Sequence, residues 1–184
     1  IVYIDDSLYF GSNAVNESLF EKSLAERFNL DLQGNSHWFL GTRLYQEEDG
    51  SYLLDQENYI KHILNRYCGK DSVWGLPRMH NTPVPLDYIY SKENRPSKEE
   101  KRIIQTRYNG LSMASAVSSL LYAALNTHCD ILWITNKLAK SSSNPGIKDY
   151  KALMHVFGYL RKFPDYAIKM YAKYEESPTH EICI

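Results

Sequence analysis

Ile1-Val2-Tyr3-Ile4-Asp5-Asp6-Ser7-Leu8-Tyr9-Phe10 sets two adjacent carboxylates between two short runs of β-branched and aromatic residues. Val2, Tyr3 and Ile4 favour a strand, as do Leu8, Tyr9 and Phe10. Asp5-Asp6-Ser7 between them is turn chemistry, because short polar side chains hydrogen-bond their own backbone there. The expectation is a β-hairpin with two acids at its tip. The apolar flanks make that tip the projecting end of a buried sheet. Two like charges side by side repel unless a cation lies between them, which favours a hard, oxygen-liganded ion such as Mg²⁺.

Outward from the hairpin, Gly11-Ser12-Asn13 breaks the strand. Asn16 is expected to cap a helix through about Phe28, with Phe20, Leu24 and Phe28 on one face. Leu30 to Asn35 reads as a turn. His37 to Leu44 reads as one strand, with Gly41 marking a bulge or a close backbone approach. Asp49-Gly50 signals a hairpin into a strand over Tyr52-Leu53-Leu54. Asp55 is the expected cap of a helix whose Ile60, Ile63, Leu64 and Tyr67 share a face.

From Gly75 to Asn94 periodicity dissolves, and Pro77, Pro83 and Pro85 predict an extended linker crossing a surface, closed by Pro96. Ser97-Lys98-Glu99-Glu100 is a capping box for a short charged helix. Met113 to Ala124 predicts another helix, with Val117, Leu120, Leu121 and Ala124 as its apolar stripe. Ile131, Ile134, Thr135 and Leu138 mark a third. Asn144-Pro145 predicts a cap and first helical position, opening a helix that turns Tyr150, Leu153, Phe157 and Leu160 to a core. Pro164 ends it, and Tyr166 to Tyr171 alternates like a strand. The order predicts an α+β fold, an acidic β-rich half followed by a helical half.

With 43% hydrophobic residues in 184 and a mean hydropathy of -0.46, the chain suits one core of ordinary size or two small ones. No apolar run approaches the roughly 20 residues of a membrane span. Opening on Ile1 within a strand-like run, it reads as a piece of a longer polypeptide. Cys68, Cys129 and Cys183 lack any Cys-X-X-Cys pair, and the six histidines lack ligand spacing. The cysteine pattern argues for a reducing compartment and against a disulfide scaffold or a zinc site. The net charge of -1 hides an asymmetry: Ile1 to Leu64 holds 4 Lys/Arg and 11 Asp/Glu, whereas Lys137 to Lys173 holds 8 and 2. Solvated helix faces account for such a split, and so does an enzyme that handles polyanions.

Tyr3-Ile4-Asp5-Asp6 resembles the Tyr-X-Asp-Asp box of reverse transcriptases, motif C of the polymerase palm. The resemblance runs over nearly the whole chain and is to copia-type LTR retrotransposons. It continues through His37-Trp38-Phe39-Leu40-Gly41, Gln56-Glu57-Asn58-Tyr59-Ile60 and Thr82-Pro83. Its most specific part is Ser119-Leu120-Leu121-Tyr122 followed by Asn126 to Ile131, and then Asn136-Lys137-Leu138-Ala139, Asn144-Pro145 and Tyr159-Leu160-Arg161 in register. Several blocks in the right order carry far more weight than the four-residue box.

The resemblance implies the C-terminal part of a polymerase palm, β-hairpins plus a helix, at 1–74. It then implies a linker at 75–96, a mainly helical thumb at 97–164, and at 165–184 the start of a connection toward an RNase H domain. It implies RNA- and DNA-templated DNA synthesis by a two-metal Mg²⁺ mechanism, with template-primer and dNTPs as partners. An intracellular setting follows, in cytoplasmic particles and the nucleus. Asp5 and Asp6 would be the catalytic metal ligands, Tyr3 and Ile4 would lie against the primer terminus, and Trp38, Phe39, Leu40 and Gly41 would form the primer grip. Strand alternation lets only one of Trp38 and Phe39 face nucleic acid. Lys137, Lys140, Lys148, Lys151, Arg161 and Lys162 are candidates for sequence-blind phosphate contacts.

Some positions depart from the family pattern. The third palm carboxylate and the fingers are expected upstream of Ile1, in the rest of the same polyprotein. Asp31 stands where Lys is usual, leaving only His37 near that turn for a general-acid role. His128-Cys129 replaces Arg-Pro, and Ser118 and Met113 stand where Gly and Tyr are usual. Two readings stay open: a polymerase fragment that is inactive alone, and a non-catalytic nucleic-acid-binding remnant.

Overall fold

The chain is seen in a computed structural model that describes residues 2–3, 6–7, 14–31, 38–69, 75–89, 91, 96–108 and 111–171. Among these residues the strands are β1 (Val2–Tyr3), β2 (Asp6–Ser7), β3 (Trp38–Phe39), β4 (Thr42–Gln46), β5 (Tyr52–Asp55) and β6 (Ala167–Met170). The helices are α1 (Ala14–Ala25), α2 (Glu57–Cys68), α3 (Lys98–Arg107), α4 (Met113–Asn126), α5 (Leu132–Ser141) and α6 (Ile147–Lys162). A 3₁₀ turn, Cys129–Ile131, leads into α5. The α+β expectation holds. No helix among the described residues is long and apolar enough to cross a membrane.

The core is helical. Ile60, Ile63, Leu64 and Tyr67 of α2 meet Leu120 of α4, Ile134 and Leu138 of α5, and Leu153, Phe157 and Leu160 of α6 in one buried cluster. The predicted faces of α2, α5 and α6 are therefore the ones that pack. On α4 the stripe differs: Ala116 and Ala123 are buried and Leu121 only partly so. Small alanines there let the neighbouring helices approach closely. Tyr67 stacks on Phe157 at 5.6 Å, and its hydroxyl meets Ser115 Oγ at 2.9 Å and Ser119 Oγ at 3.1 Å.

Some helix starts follow the sequence, and those of α1, α2 and α6 do not, the cap of α2 being Gln56 and not Asp55. Glu100 N–H donates to Ser97 Oγ (3.1 Å) and Ser97 N–H to Glu100 Oε2 (2.9 Å), the capping box expected for α3. Asp55 ends β5 one residue before the α2 cap position, and its carboxylate still accepts from Glu57 N–H (3.0 Å). Helix α1 begins at Ala14, so Asn16 lies inside it, and Phe28 lies beyond its end, 62% exposed. Helix α6 begins at Ile147 rather than at Pro145. Its cap is Gly146, whose N–H donates to Asp149 Oδ2 (2.9 Å), while Asn144 closes the preceding turn onto Ser141 O.

The larger sheet has the order β3-β4-β5-β6, antiparallel throughout. Thr42 and Leu44 of β4 alternate into buried positions. Strand β6, nearly at the end of the described chain, returns to pair with β5, with Leu54 opposite Ile168. Lys169 fastens this return by meeting Asp49 Oδ2 at 3.0 Å. The Asp49 carboxyl is lowered to about 2, first by hydrogen bonds from Ser51 and then by Lys169.

The proline-rich stretch is held along α6 as an extended strap. Arg161 Nη1 donates to Pro77 O (2.9 Å), His80 N–H to Gly158 O (3.4 Å), and Tyr88 Oη to Asp149 Oδ1 (2.9 Å). His155 Nε2 meets Thr82 O at 2.8 Å, and Lys162 reaches Asn81 Oδ1. As the strap numbers rise, its partners descend the helix, so the two segments run antiparallel. Gly158 allows the contact, because a Cβ there would lie 2.0 Å from Arg78 O and 2.8 Å from His80 Cδ2. In an open helix Gly→Ala gains about 1 kcal/mol. At this position the clash dominates, and Gly158→Ala is expected to lower the unfolding free energy by about 1–3 kcal/mol. Urea unfolding checks this, and a stabilised variant would contradict the strap.

Candidate functional site

Strands β1 and β2 pair antiparallel with Val2 opposite Ser7 and Tyr3 opposite Asp6. The sequence reading put Asp5, Asp6 and Ser7 together in the turn. Instead Asp6 and Ser7 belong to β2, and only Ile4 and Asp5 separate the paired residues. Ile4 and Asp5 lie outside the described residues, as does His37.

The second group of candidates forms a second hairpin. Trp38 pairs with Arg43 and Phe39 with Thr42, so Leu40-Gly41 is the turn and the predicted continuous strand from His37 to Leu44 is two strands. Both turn residues have positive φ, 49° for Leu40 and 71° for Gly41, as a type I′ turn requires. Leucine is poorly suited to that conformation, at about 1–2 kcal/mol. The Tyr122 hydroxyl of α4 donates to Leu40 O and lies 3.5 Å from where a Cβ on Gly41 would sit. The close approach inferred from Gly41 is thus made by a tyrosine, at a turn in place of a bulge.

The tyrosine is itself braced. Its ring meets Tyr59 edge-on at 4.8 Å, and Tyr59 Oη donates to Ser119 O (3.0 Å). On the other side of the turn, Arg43 Nε donates to buried Asp55 (2.8 Å), and that bond raises the guanidinium pKa further. Trp38 is 47% exposed and Phe39 is half-buried, so Trp38 is the more outward of the pair. The structure gathers Trp38, Phe39, Leu40 and Gly41 at one tip. It places Tyr3 and Asp6 in a separate two-stranded sheet.

The basic candidates divide. Lys148 and Lys151 stand exposed on α6, whereas Arg161 and Lys162 are engaged with the strap. Lys137 lies over the Trp133 ring at 5.2 Å. Asp31 is exposed and lies outside any helix or strand. Among the described residues no group of three or more His, Cys, Asp and Glu side chains is placed to hold a metal.

His128, where the sequence departs from the resemblance, is fully buried, with Nδ1 3.7 Å from Asp130 Oδ1. The Tyr159 hydroxyl donates to the other Asp130 oxygen. Burial opposes ionisation of Asp130, but His128 and Tyr159 outweigh it and hold the carboxyl below its ordinary value. Nothing in the sequence pointed to this pairing, since Tyr159 is 29 residues from Asp130.

No family model matches the chain, and no solved structure matches it. It is similar to Pol polyproteins of plant transposons. It is 26% identical over 162 residues to the retrovirus-related Pol polyprotein from transposon TNT 1-94 of Nicotiana tabacum, covering 88% of this chain and 12% of that protein. It is 27% identical over 168 residues to the retrovirus-related Pol polyprotein from transposon RE2 of Arabidopsis thaliana, covering 91% of this chain and 10% of that protein. An uncharacterized mitochondrial protein of Arabidopsis thaliana is 26% identical over 161 residues, 88% of this chain and 60% of that protein. The chain therefore spans a small part of the polyproteins and less than two thirds of the mitochondrial relative. The similarity supports a retrotransposon-derived chain.

Two outcomes follow from the geometry. Tyr122→Phe should cost about 1 kcal/mol and speed amide exchange at the Leu40-Gly41 turn while α4 stays protected. Unchanged exchange would contradict the tyrosine clasp. Because the folded Asp130 carboxyl titrates below its unfolded value, its stabilisation is present above the ordinary carboxylate range and is lost as pH falls through the folded value. Asp130→Asn should therefore be less stable than the parent at pH 7, with the gap closing in acid. A gap that widens on acidification would reverse the assignment.

Proposed function

We propose that the chain is the motif C, primer-grip and thumb portion of a copia-type reverse transcriptase, an RNA-directed DNA polymerase. The observation that carries this reading is the antiparallel pairing of β1 with β2, in which Tyr3 lies opposite Asp6 within the Tyr-X-Asp-Asp stretch. The surrounding chain is similar to transposon Pol polyproteins over 88% of its length.

In this reading Asp5 and Asp6 are the catalytic carboxylates and the ligands for Mg²⁺. Adjacent carboxylate oxygens suit a hard cation. Bound there, the metal would lower the pKa of the primer 3′-hydroxyl and stabilise charge on the leaving pyrophosphate. Tyr3 and Ile4 would support the primer terminus. At the other hairpin, Trp38 is the residue that would face the primer, and the turn Leu40-Gly41 sets its position through Tyr122. Template-primer and dNTPs are the proposed substrates. A carboxylate from the remainder of the polyprotein would complete the metal site, and the fingers and RNase H parts would be its covalent partners.

Two acids at one tip do not enclose two metals. The isolated chain should therefore extend no primer, with or without Mg²⁺. In the longer polypeptide Asp5→Asn should lower extension by about 100-fold or more, the scale of losing one electrostatic contact to a transition state. Extension by the isolated chain, abolished in Asp5→Asn, would overturn the incompleteness. Extension by the longer polypeptide that is indifferent to Asp5→Asn would overturn the catalytic assignment.

The second reading, a non-catalytic nucleic-acid-binding remnant, draws on the buried His128 where the family pattern has Arg. Salt-sensitive binding indifferent to Mg²⁺ and to Asp5→Asn, together with an inactive longer polypeptide, would favour it.

A further inference from the structure

Two imidazoles meet where the strap crosses α6. His80 of the strap stacks on His155 of the helix, with ring centroids 3.6 Å apart and planes 17° from parallel. Each residue also fastens the strap by a hydrogen bond: His155 Nε2 meets Thr82 O at 2.8 Å, and His80 N–H donates to Gly158 O at 3.4 Å. Both residues are half-buried. Neutral imidazoles stack as flat aromatic surfaces, whereas two imidazolium ions at the same separation repel. Histidine is the side chain whose charge changes between about pH 5 and 8.

The surroundings decide how readily the pair takes up protons. A cavity of about 900 Å³ between the strap, α3 and α6 has both imidazoles in its lining. Its charged groups are Arg78 and Asp87 from the strap, Arg107 from the last turn of α3, and Lys148 and Lys151 from α6. Lys151 stands four residues before His155, on the same helix face. Farther along α6, Arg161 and Lys162 bond to Pro77 O and Asn81 Oδ1 of the strap. Asp149 of α6 is buried, and its oxygens already accept from Gly146 N–H and the Tyr88 hydroxyl. The phenols of Tyr88 and Tyr108 stay uncharged in neutral and acid solution. Cations therefore outnumber carboxylates around the rings. Among the described residues the histidine paired with a carboxylate is His128, and neither His80 nor His155 has such a partner.

We propose that the strap is an acid-opened latch, closed on α6 at neutral pH and released locally when the stacked His80–His155 pair is protonated, while the helical core stays folded. Burial, then His155 and Arg78, hold the His80 pKa below its ordinary value. The sign follows: the open strap binds the proton more tightly, so closure is fully stabilised above the ordinary imidazole value and weakens as pH falls below it. The core does not share this fate, because Leu153, Phe157 and Leu160 of α6 pack against α2, α4 and α5. Opening dissolves the cavity, of which the strap is one wall, and uncovers α6 around Gly158. The latch rests on none of the polymerase assignments.

The test is amide exchange of the whole chain read by NMR from about pH 7.5 to about pH 5, corrected for the intrinsic pH dependence of exchange. Protection of His80 N–H should fall by at least about tenfold, the limit being tenfold per pH unit for each proton taken up. Amides of α2 and α4 should keep their protection, and the ring-proton shifts of His80 and His155 should titrate with the loss. His80→Gln and His155→Gln, which cannot become charged there, should hold a level protection across the range. Lys151→Gln, with both histidines kept, removes a like charge one turn away and should move the midpoint down by about 0.3 pH unit. Level protection in the parent, a loss that persists in both glutamine variants, or core amides that loosen together with the strap would overturn the latch. Where a glutamine variant is already open at neutral pH, Lys151→Gln decides, and an unmoved midpoint overturns it.

Discussion

The contact of the proline-rich strap with α6 at Gly158 is the constraint on which the other placements depend. Helix α6 buries Leu153, Val156, Phe157 and Leu160 against α2 and α5, yet its opposite side is also covered. A helix enclosed on both sides needs a small residue where backbone meets backbone. Gly158 supplies it, and the hydrogen bonds that Arg161, His155 and Asp149 share with the strap, the last accepted from Tyr88, then space it along the helix. With the strap fixed in this way, Arg78 stands beside Lys148 and Lys151, residues about 70 positions apart in sequence.

The helical core also controls the hairpin that carries the primer-grip candidates. A two-residue turn containing Leu40 at positive φ is not self-stabilising. It is held by the Tyr122 hydroxyl, and Tyr122 is fixed by α4 and by the ring of Tyr59. Arg43 and Asp55 restrain the far side of the same turn. The position of Trp38 is thus a property of α2 and α4 as much as of its own strand. The return of β6 to β5 ties the end of the described chain to the same sheet.

Elements specified by local chemistry were legible in the sequence. The Ser97–Glu100 capping box, the apolar faces of α2, α5 and α6, and the Asp49-Gly50 hairpin all need only near neighbours. Features that depend on distant partners were not. Leu40-Gly41 looked like strand because leucine rarely turns a hairpin, and only Tyr122, 82 residues away, makes it tolerable. Asn144-Pro145 carried a strong helix-start signal, but Asp149 captured Gly146 N–H and moved the start two residues on. Asp6 and Ser7 looked like turn because short polar residues favour turns, but Asp6 pairs as strand across from Tyr3. Lys148 and Lys151 were singled out in the sequence, but their meeting with Arg78 and Arg107 around one cavity was not legible, since those come from the strap and α3.

The most direct test of the polymerase reading is the transcript contiguous with this segment. The account predicts an open frame upstream that places an Asp on an apolar strand, able to join Asp5 and Asp6, and an RNase H acidic set downstream. Stop codons or frameshifts close to Ile1, or an open frame lacking any such carboxylate, would contradict a working polymerase and leave the Asp5-Asp6 hairpin as the trace of an ancestral one.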